Sequence, residues 1–163
     1  MAGDRDRQED RGLPYLILDV FAEAPLQGNQ LGVFTDAVGV GSEQMQRLAR
    51  ELNFSETVFL LPPERDGDAR VRIFTPDHEL PFAGHPVLGS AVAAGAARRS
   101  PAVLLETGLG LIPVDLQWQS SRLGFETRLL NLNLVRAGQN LQKSISTGVV
   151  RHLFARCRSV GIG

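Results

Sequence analysis

Apolar and polar residues follow recognisable periods along most of the chain up to Trp118, and each period predicts an element. Tyr15-Leu16-Ile17-Leu18-Asp19-Val20-Phe21 is a nearly unbroken apolar run of strand length, which predicts a strand covered on both faces. Ala24-Pro25-Leu26-Gln27-Gly28-Asn29 is turn chemistry, and Gln30–Thr35 returns as a second strand. The period then changes. Met45, Leu48, Ala49 and Leu52 recur at i, i+3, i+4 and i+7 while Arg47, Arg50 and Glu51 fall on the other side, which predicts an amphipathic helix. Ser42 reads as its N-cap with Glu43 in the first turn, and Asn53 as its stop. Thr57–Leu61 and Ala69–Thr75 follow as the third and fourth strands.

A second helix is predicted from a different signal. Pro86 suits the first helical position, where a missing N–H is harmless, and this makes His85 the expected N-cap. Val87–Ala97 is small and apolar on every face, so this helix is expected to be buried. Ala102–Glu106 and Leu111–Trp118 read as a strand pair around Thr107-Gly108-Leu109-Gly110. Strands and helices alternate without a steady βαβ repeat, which predicts an α+β fold: a curved mixed sheet wrapped around one central buried helix.

Composition narrows the function classes. The chain has 163 residues, 43% hydrophobic and 21% charged, which are values for a globular domain. A net charge of −1 argues against binding nucleic acid through bulk electrostatics. Cys157 is the single cysteine, so one chain can build neither a disulfide nor a thiolate metal cluster. Met1–Gly12 is charged and lacks an apolar signal core, and reads as a disordered extension; no run reaches the length of a membrane span, so a cytoplasmic protein without a membrane partner is expected. From Gln119 onwards seven basic residues face one acid, Glu126, against ten bases and seventeen acids before it. Periodicity is poor there, and the bases lack the interleaved series of aromatic stacking partners that a nucleic-acid arm requires. The expected organisation is an extension at 1–12, a domain at 13–118, and a divergent or truncated start of a second domain at 119–163.

Two side chains carry candidate chemistry. Glu56 lies between a helix end and an apolar strand, among Phe54, Val58 and Phe59. A carboxyl group beside such a surface is partly desolvated and suited to carrying a proton, although a loop glutamate that merely starts a strand reads the same way. His85 stands where the first free N–H groups of a buried helix would receive an anion such as a carboxylate; a purely structural cap is the alternative. His78 belongs to a polar turn, His152 has no assigned role, and the three histidines lack metal-ligand spacing, so no metal is expected. Gly28-Asn29 can bring a backbone and an amide near a ligand, or simply make a hairpin turn.

Four blocks taken together are more specific. Asp19-Val20-Phe21-Ala22-Glu23-Ala24-Pro25-Leu26-Gln27-Gly28-Asn29 precedes Met45–Thr57 with its Asn53-Phe54-Ser55-Glu56; Arg72-Ile73-Phe74-Thr75-Pro76 with Glu79-Leu80-Pro81-Phe82-Ala83-Gly84-His85-Pro86 comes next, then Leu105-Glu106-Thr107 and a glycine turn. This arrangement resembles the N-terminal half of the PhzF-like isomerases of phenazine biosynthesis, which are relatives of diaminopimelate epimerase and proline racemase. The resemblance covers about Tyr15 to Trp118. It implies a diaminopimelate epimerase-like half-fold, and a cofactor-free proton shift on a small cyclic carboxylic acid of the dihydro-hydroxyanthranilate type. It also implies Glu56 as the catalytic acid and base, His85 as the group that binds and orients the substrate, and Gly84, Ser55 and Asn29 as the pocket lining. Racemases of this fold carry a thiol where this chain has Ala83, which excludes two-thiol chemistry. Family members also carry a Glu-Asp-x-x-Thr-Gly-Ser-like segment in a second half, and nothing in Gln119–Gly163 matches it, so a truncated or frame-altered member is expected. The alternative is an inactive binding or interaction domain that associates through its uncovered face, most simply as a homodimer.

Overall fold

A computed structural model describes residues 12–22 and 26–118 in full, and the backbone of 119–121, 124–132, 135–136, 139–140 and 149–153. The expected extension at 1–12 and most of 119–163 therefore lie outside the described residues.

The fold is α+β. Strands β1 (Tyr15–Val20) and β2 (Asn29–Phe34) lead to helix α1 (Ser42–Leu52); β3 (Glu56–Leu61), β4 (Ala69–Phe74) and the short β5 (Glu79–Leu80) lead to helix α2 (Gly84–Gly95). After it come β6 (Ala102–Thr107), β7 (Gly110–Ser121), β8 (Gly124–Leu132), β9 (Val135–Arg136), β10 (Gln139–Asn140) and β11 (Val149–Leu153). Nine strands form one mixed sheet in the order β3-β2-β1-β11-β8-β7-β6-β4-β5, and β3 also pairs with β4, so the sheet curls back on itself. Its parallel pairs, β2–β3 and β4–β6, are the two that a helix connects, α1 in the first and α2 in the second.

The two helices occupy opposite faces, and strand alternation explains why. Leu31 and Val33 of β2, Val58 and Leu60 of β3, and Val71 and Ile73 of β4 point into the curl, where Val87, Leu88, Ala91 and Val92 of α2 meet them. The intervening Phe34, Phe59 and Phe74 point outward and pack beneath Met45 and Ala49 of α1. Phe34 stacks on Phe59 with centroids 4.8 Å apart, and Phe59 meets Phe74 edge-on at 5.4 Å. Each such pair adds roughly 0.5–1.5 kcal/mol beyond its burial. Strands covered on both faces need near-continuous apolar runs, and this is what β1, β2 from Leu31 onwards and β3 supply; β4 alternates, with Arg70 and Arg72 half-buried between its apolar residues.

Both N-caps differ from expectation. Gly41, with extended backbone (φ −75°, ψ 157°), caps α1, so Ser42 is its first helical residue. Ala83 caps α2 and its carbonyl accepts the Val87 N–H at 3.2 Å, so His85 is the second helical residue and Pro86 the third. Pro86 remains comfortable because first-turn N–H groups have no intrahelical partner. Asn53 does stop α1, in the left-handed region at φ 52°, with its N–H bonded to Ala49 O. The β6–β7 hairpin turns at Gly108-Leu109 as expected, and Gly110 (φ 116°) supplies the backbone it needs.

α2 fits inside the sheet because its residues are small. A Cβ on Gly89 would lie 2.4 Å from Leu31 Cδ2 and 3.3 Å from Leu18 Cδ1, so glycine sets how closely the helix approaches β1 and β2. At the far end Gly95 lies against Leu116, Val103 and Trp118, whose indole N–H donates to Ser100 O at 2.7 Å. Elsewhere, buried Glu106 accepts the backbone N–H groups of Glu64 (2.8 Å), Arg65 (2.7 Å) and Gly67 (3.1 Å), pinning the β3–β4 loop to β6. Burial pushes this carboxyl up, but the three amide donors and the Arg65 charge outweigh it and hold it below the usual carboxylate range.

Two predictions follow from packing. Gly89→Ala must displace Leu31 or α2 and is expected to lower unfolding stability by about 1–3 kcal/mol, read from the urea midpoint. Glu106→Gln is expected to lower the melting temperature at neutral pH. Because the folded pKa is depressed, the stability that Glu106 contributes is present above the ordinary carboxylate value and lost as pH falls through the folded one. Thermal melts across the acid range should show that loss in the parent chain and not in Glu106→Gln.

Candidate active site

Three separate segments meet at the N-terminal end of α2. Asn29 opens β2, with its Cα opposite Val20 of β1. The turn before it is tightly built: Gln27 N–H donates to Asp19 Oδ2 at 3.1 Å, and a Cβ on Gly28 would lie 2.6 Å from both Asp19 Oδ1 and Val20 O. Phe21 (φ 62°) and Leu26 (φ 67°), both exposed, take left-handed backbone in this connection, a conformation that bulky residues seldom adopt. Ser55 and Glu56 arrive from the other side, where the left-handed Asn53 ends α1 and directs the chain into β3. Glu56 lies opposite Leu31 of the parallel neighbour β2. His85 comes from the first turn of α2.

These side chains form a line. Ser55 Oγ donates to Asn29 Oδ1 at 3.1 Å, and Asn29 Nδ2 lies 3.2 Å from His85 Nδ1. On the other edge of the imidazole, His85 Nε2 lies 3.3 Å from Glu56 Oε2. That contact is close but not aligned as a hydrogen bond, and both atoms are buried with no hydrogen-bond partner among the described residues. The side chains are 9% exposed for His85 and 17% for Glu56. Buried polar atoms are nearly always partnered, so a facing pair left open marks a place where a ligand group can be received. Burial pushes the His85 imidazole below its usual range, against the opposing pull of the Glu56 charge and the Gln30 backbone, so at neutral pH the ring is uncharged. The N–H groups of Gly84 and His85 add two donors at the positive end of the helix dipole.

All five residues expected at the site, Glu56, His85, Gly84, Ser55 and Asn29, are thus within one neighbourhood. His78 is elsewhere, exposed in the β4–β5 turn, where its backbone bonds to Thr75. His152 is in β11, opposite Leu18, and its side chain is outside the described residues. Among the described residues no group of three or more potential metal-ligating side chains converges, and no helix is long and apolar enough to span a membrane. Ala83, the N-cap of α2, presents no thiol to the pocket.

A groove of about 470 Å³ lies between Arg70, Arg72, Glu79 and Glu106, away from this site. Arg72 is paired with Glu79 at 2.6 Å and Arg70 with Glu64, while Arg65, which also lines the groove, sets its charge beside the Glu106 carboxylate. Glu106 was not singled out from the sequence. The available signal was an acid at the end of the apolar run Val103-Leu104-Leu105, a place where carboxylates are buried only when well bonded.

The family model described as phenazine biosynthesis-like protein matches residues 18–133, which includes every residue of this site. The chain belongs to that family. Trans-2,3-dihydro-3-hydroxyanthranilate isomerase of Pseudomonas aeruginosa is 52% identical over 108 residues, which cover 66% of this chain and 39% of the isomerase. A structure titled as a predicted epimerase from Pseudomonas aeruginosa superimposes with a TM-score of 0.61 at 39% identity, covering 72% of this chain and 42% of that one. The fold is also shared with a hydroxyproline epimerase from Agrobacterium vitis, at a TM-score of 0.53 and 17% identity, covering 74% of this chain and 41% of that one. The chain therefore spans well under half the length of the isomerase it matches.

The His85 environment predicts a pH dependence. With the folded pKa below the ordinary value of 6.5, the unfolded chain takes up a proton first as the solution is acidified. Stability is expected to fall as pH drops through that ordinary value toward the folded one, and His85→Gln is expected to lack this component. Melting temperatures of both chains between neutral and mildly acidic pH check it; parallel curves would refute the neutral, buried imidazole.

Proposed function

We propose that this chain carries the proton-transferring half-site of a PhzF-like isomerase acting, without a cofactor, on a small cyclic carboxylic acid of the dihydro-hydroxyanthranilate type. One observation carries the reading: Glu56 Oε2 faces His85 Nε2 at 3.3 Å, both buried and unpartnered, at the N-terminus of a buried helix. In this reading the substrate carboxylate rests on the Gly84 and His85 N–H groups, and the neutral His85 ring orients the acid. Glu56 takes a proton from one ring carbon, the conjugated double bonds shift, and the Glu56 carboxyl, which exchanges its proton with solvent, returns a proton at the far carbon, so atoms and charge balance. Ser55 and Asn29 line the pocket beside His85. The 52% identity to an isomerase of this type supports the substrate class, and Ala83 in place of a thiol is consistent with a carboxyl-centred route. We place the family domain at 13–118, the start of a second domain at 119–163, and the reaction in the cytoplasm, with a homodimer as the assembly.

The test is solvent proton exchange. Incubated in deuterated water with dihydro-hydroxyanthranilate, the chain is expected to put deuterium on the ring, and Glu56→Gln is expected to slow this by roughly 10²–10⁴-fold. Exchange that Glu56→Gln leaves unchanged would remove Glu56 from the reaction.

A further inference from the structure

Hydrogen-bond polarity along the line from Ser55 to Glu56 is decided at the imidazole. Asn29 Nδ2 faces His85 Nδ1 at 3.2 Å, and the Ser55 hydroxyl, which can donate or accept, follows the amide by donating to Asn29 Oδ1 at 3.1 Å. An amide N–H can only donate, so Nδ1 must accept with its lone pair, and the hydrogen of the neutral ring then sits on Nε2. Reversing the amide would put the hydrogen on Nδ1. It would also leave the lone pairs of Nε2 and Glu56 Oε2 facing each other at 3.3 Å, so the two ends of the ring favour the same answer. The backbone fixes the arrangement from both sides: Asn29 follows Gly28, packed against Asp19 and Val20, and Ser55 follows the left-handed end of α1.

We infer that Asn29 is a positioning residue that holds His85 in its Nε2–H tautomer. His85 thereby presents a neutral N–H donor to an acceptor oxygen, that of Glu56 or of the bound acid. Asn29 acts through the imidazole, not by contacting the reacting atoms. The inference rests on the proposed role of His85 in binding the acid, but its geometry stands without any turnover.

Long-range ¹H–¹⁵N correlation on the histidine-labelled chain, above the pH at which the ring titrates, reads the tautomer, with His85→Gln assigning the signal. The expected spectrum has an unprotonated Nδ1 and a protonated Nε2. Free imidazole already leans this way, so the deciding variant is Asn29→Asp, which sets an acceptor-only group against Nδ1 and should move a hydrogen onto it. A parent chain with Nδ1 protonated, or an Asn29→Asp spectrum with Nδ1 still bare, would each overturn the inference. Absence of deuterium exchange beside the expected spectra would instead sink the isomerase reading alone.

Discussion

The constraint that organises this molecule is the enclosure of α2 by a sheet that curls back to pair β3 with β4. A helix so surrounded has no solvent face, so every residue of its packed surface must be apolar or internally bonded. Gly89 and Gly95 lie hard against the strands, and Ser90, a polar residue buried in mid-helix, donates its hydroxyl back to Pro86 O at 2.7 Å. Enclosure also fixes where chemistry can occur. Only the ends of such a helix reach the surface, and the N-terminal end is the electropositive one. Polar side chains from β2 and β3 gather there because the strands that wall the helix also deliver their first residues to that rim.

Much of the fold was legible because β1 to β4, β6, β7 and the two helices are written in apolar patterns that burial enforces, whereas the two-residue β5 lies in a stretch that reads as a polar turn. The outward phenylalanines and inward valines of β2 and β3 read as near-continuous apolar runs because both faces are covered. What sequence misjudged was decided by backbone geometry rather than residue type. Ser42 and His85 have good capping chemistry, yet Gly41 and Ala83 adopt the extended conformation that caps α1 and α2. Strands β8 and β11 follow no sustained period; β8 folds back directly on β7, with Ser121 opposite Gly124, while β11 is placed against β1, far away in sequence. Glu106 was invisible for a similar reason, since its three partners are backbone amides about forty residues upstream, which no side-chain pattern announces.

The site was legible in a different manner. Periodicity alone left Glu56 and His85 with two readings each, and the family resemblance chose between them. The structure adds what neither could supply. It brings Asn29 to His85 across 56 residues of sequence, and it leaves the Glu56–His85 contact close yet unaligned. An open contact of that kind differs from a finished salt bridge. Its burial disfavours charge on the ring, and its missing hydrogen bonds leave room for a third group.

Trp118 lends the molecule an optical property. It is the single tryptophan in the sequence, and its ring lies against Gly95 while its N–H holds Ser100 O just beyond the helix. Its intrinsic fluorescence therefore watches the rear of the enclosed helix, opposite the end where the candidate residues gather. Loosening at that end would redden the emission without any attached dye, so the seating of the helix in its sheet can be followed separately from events at the rim.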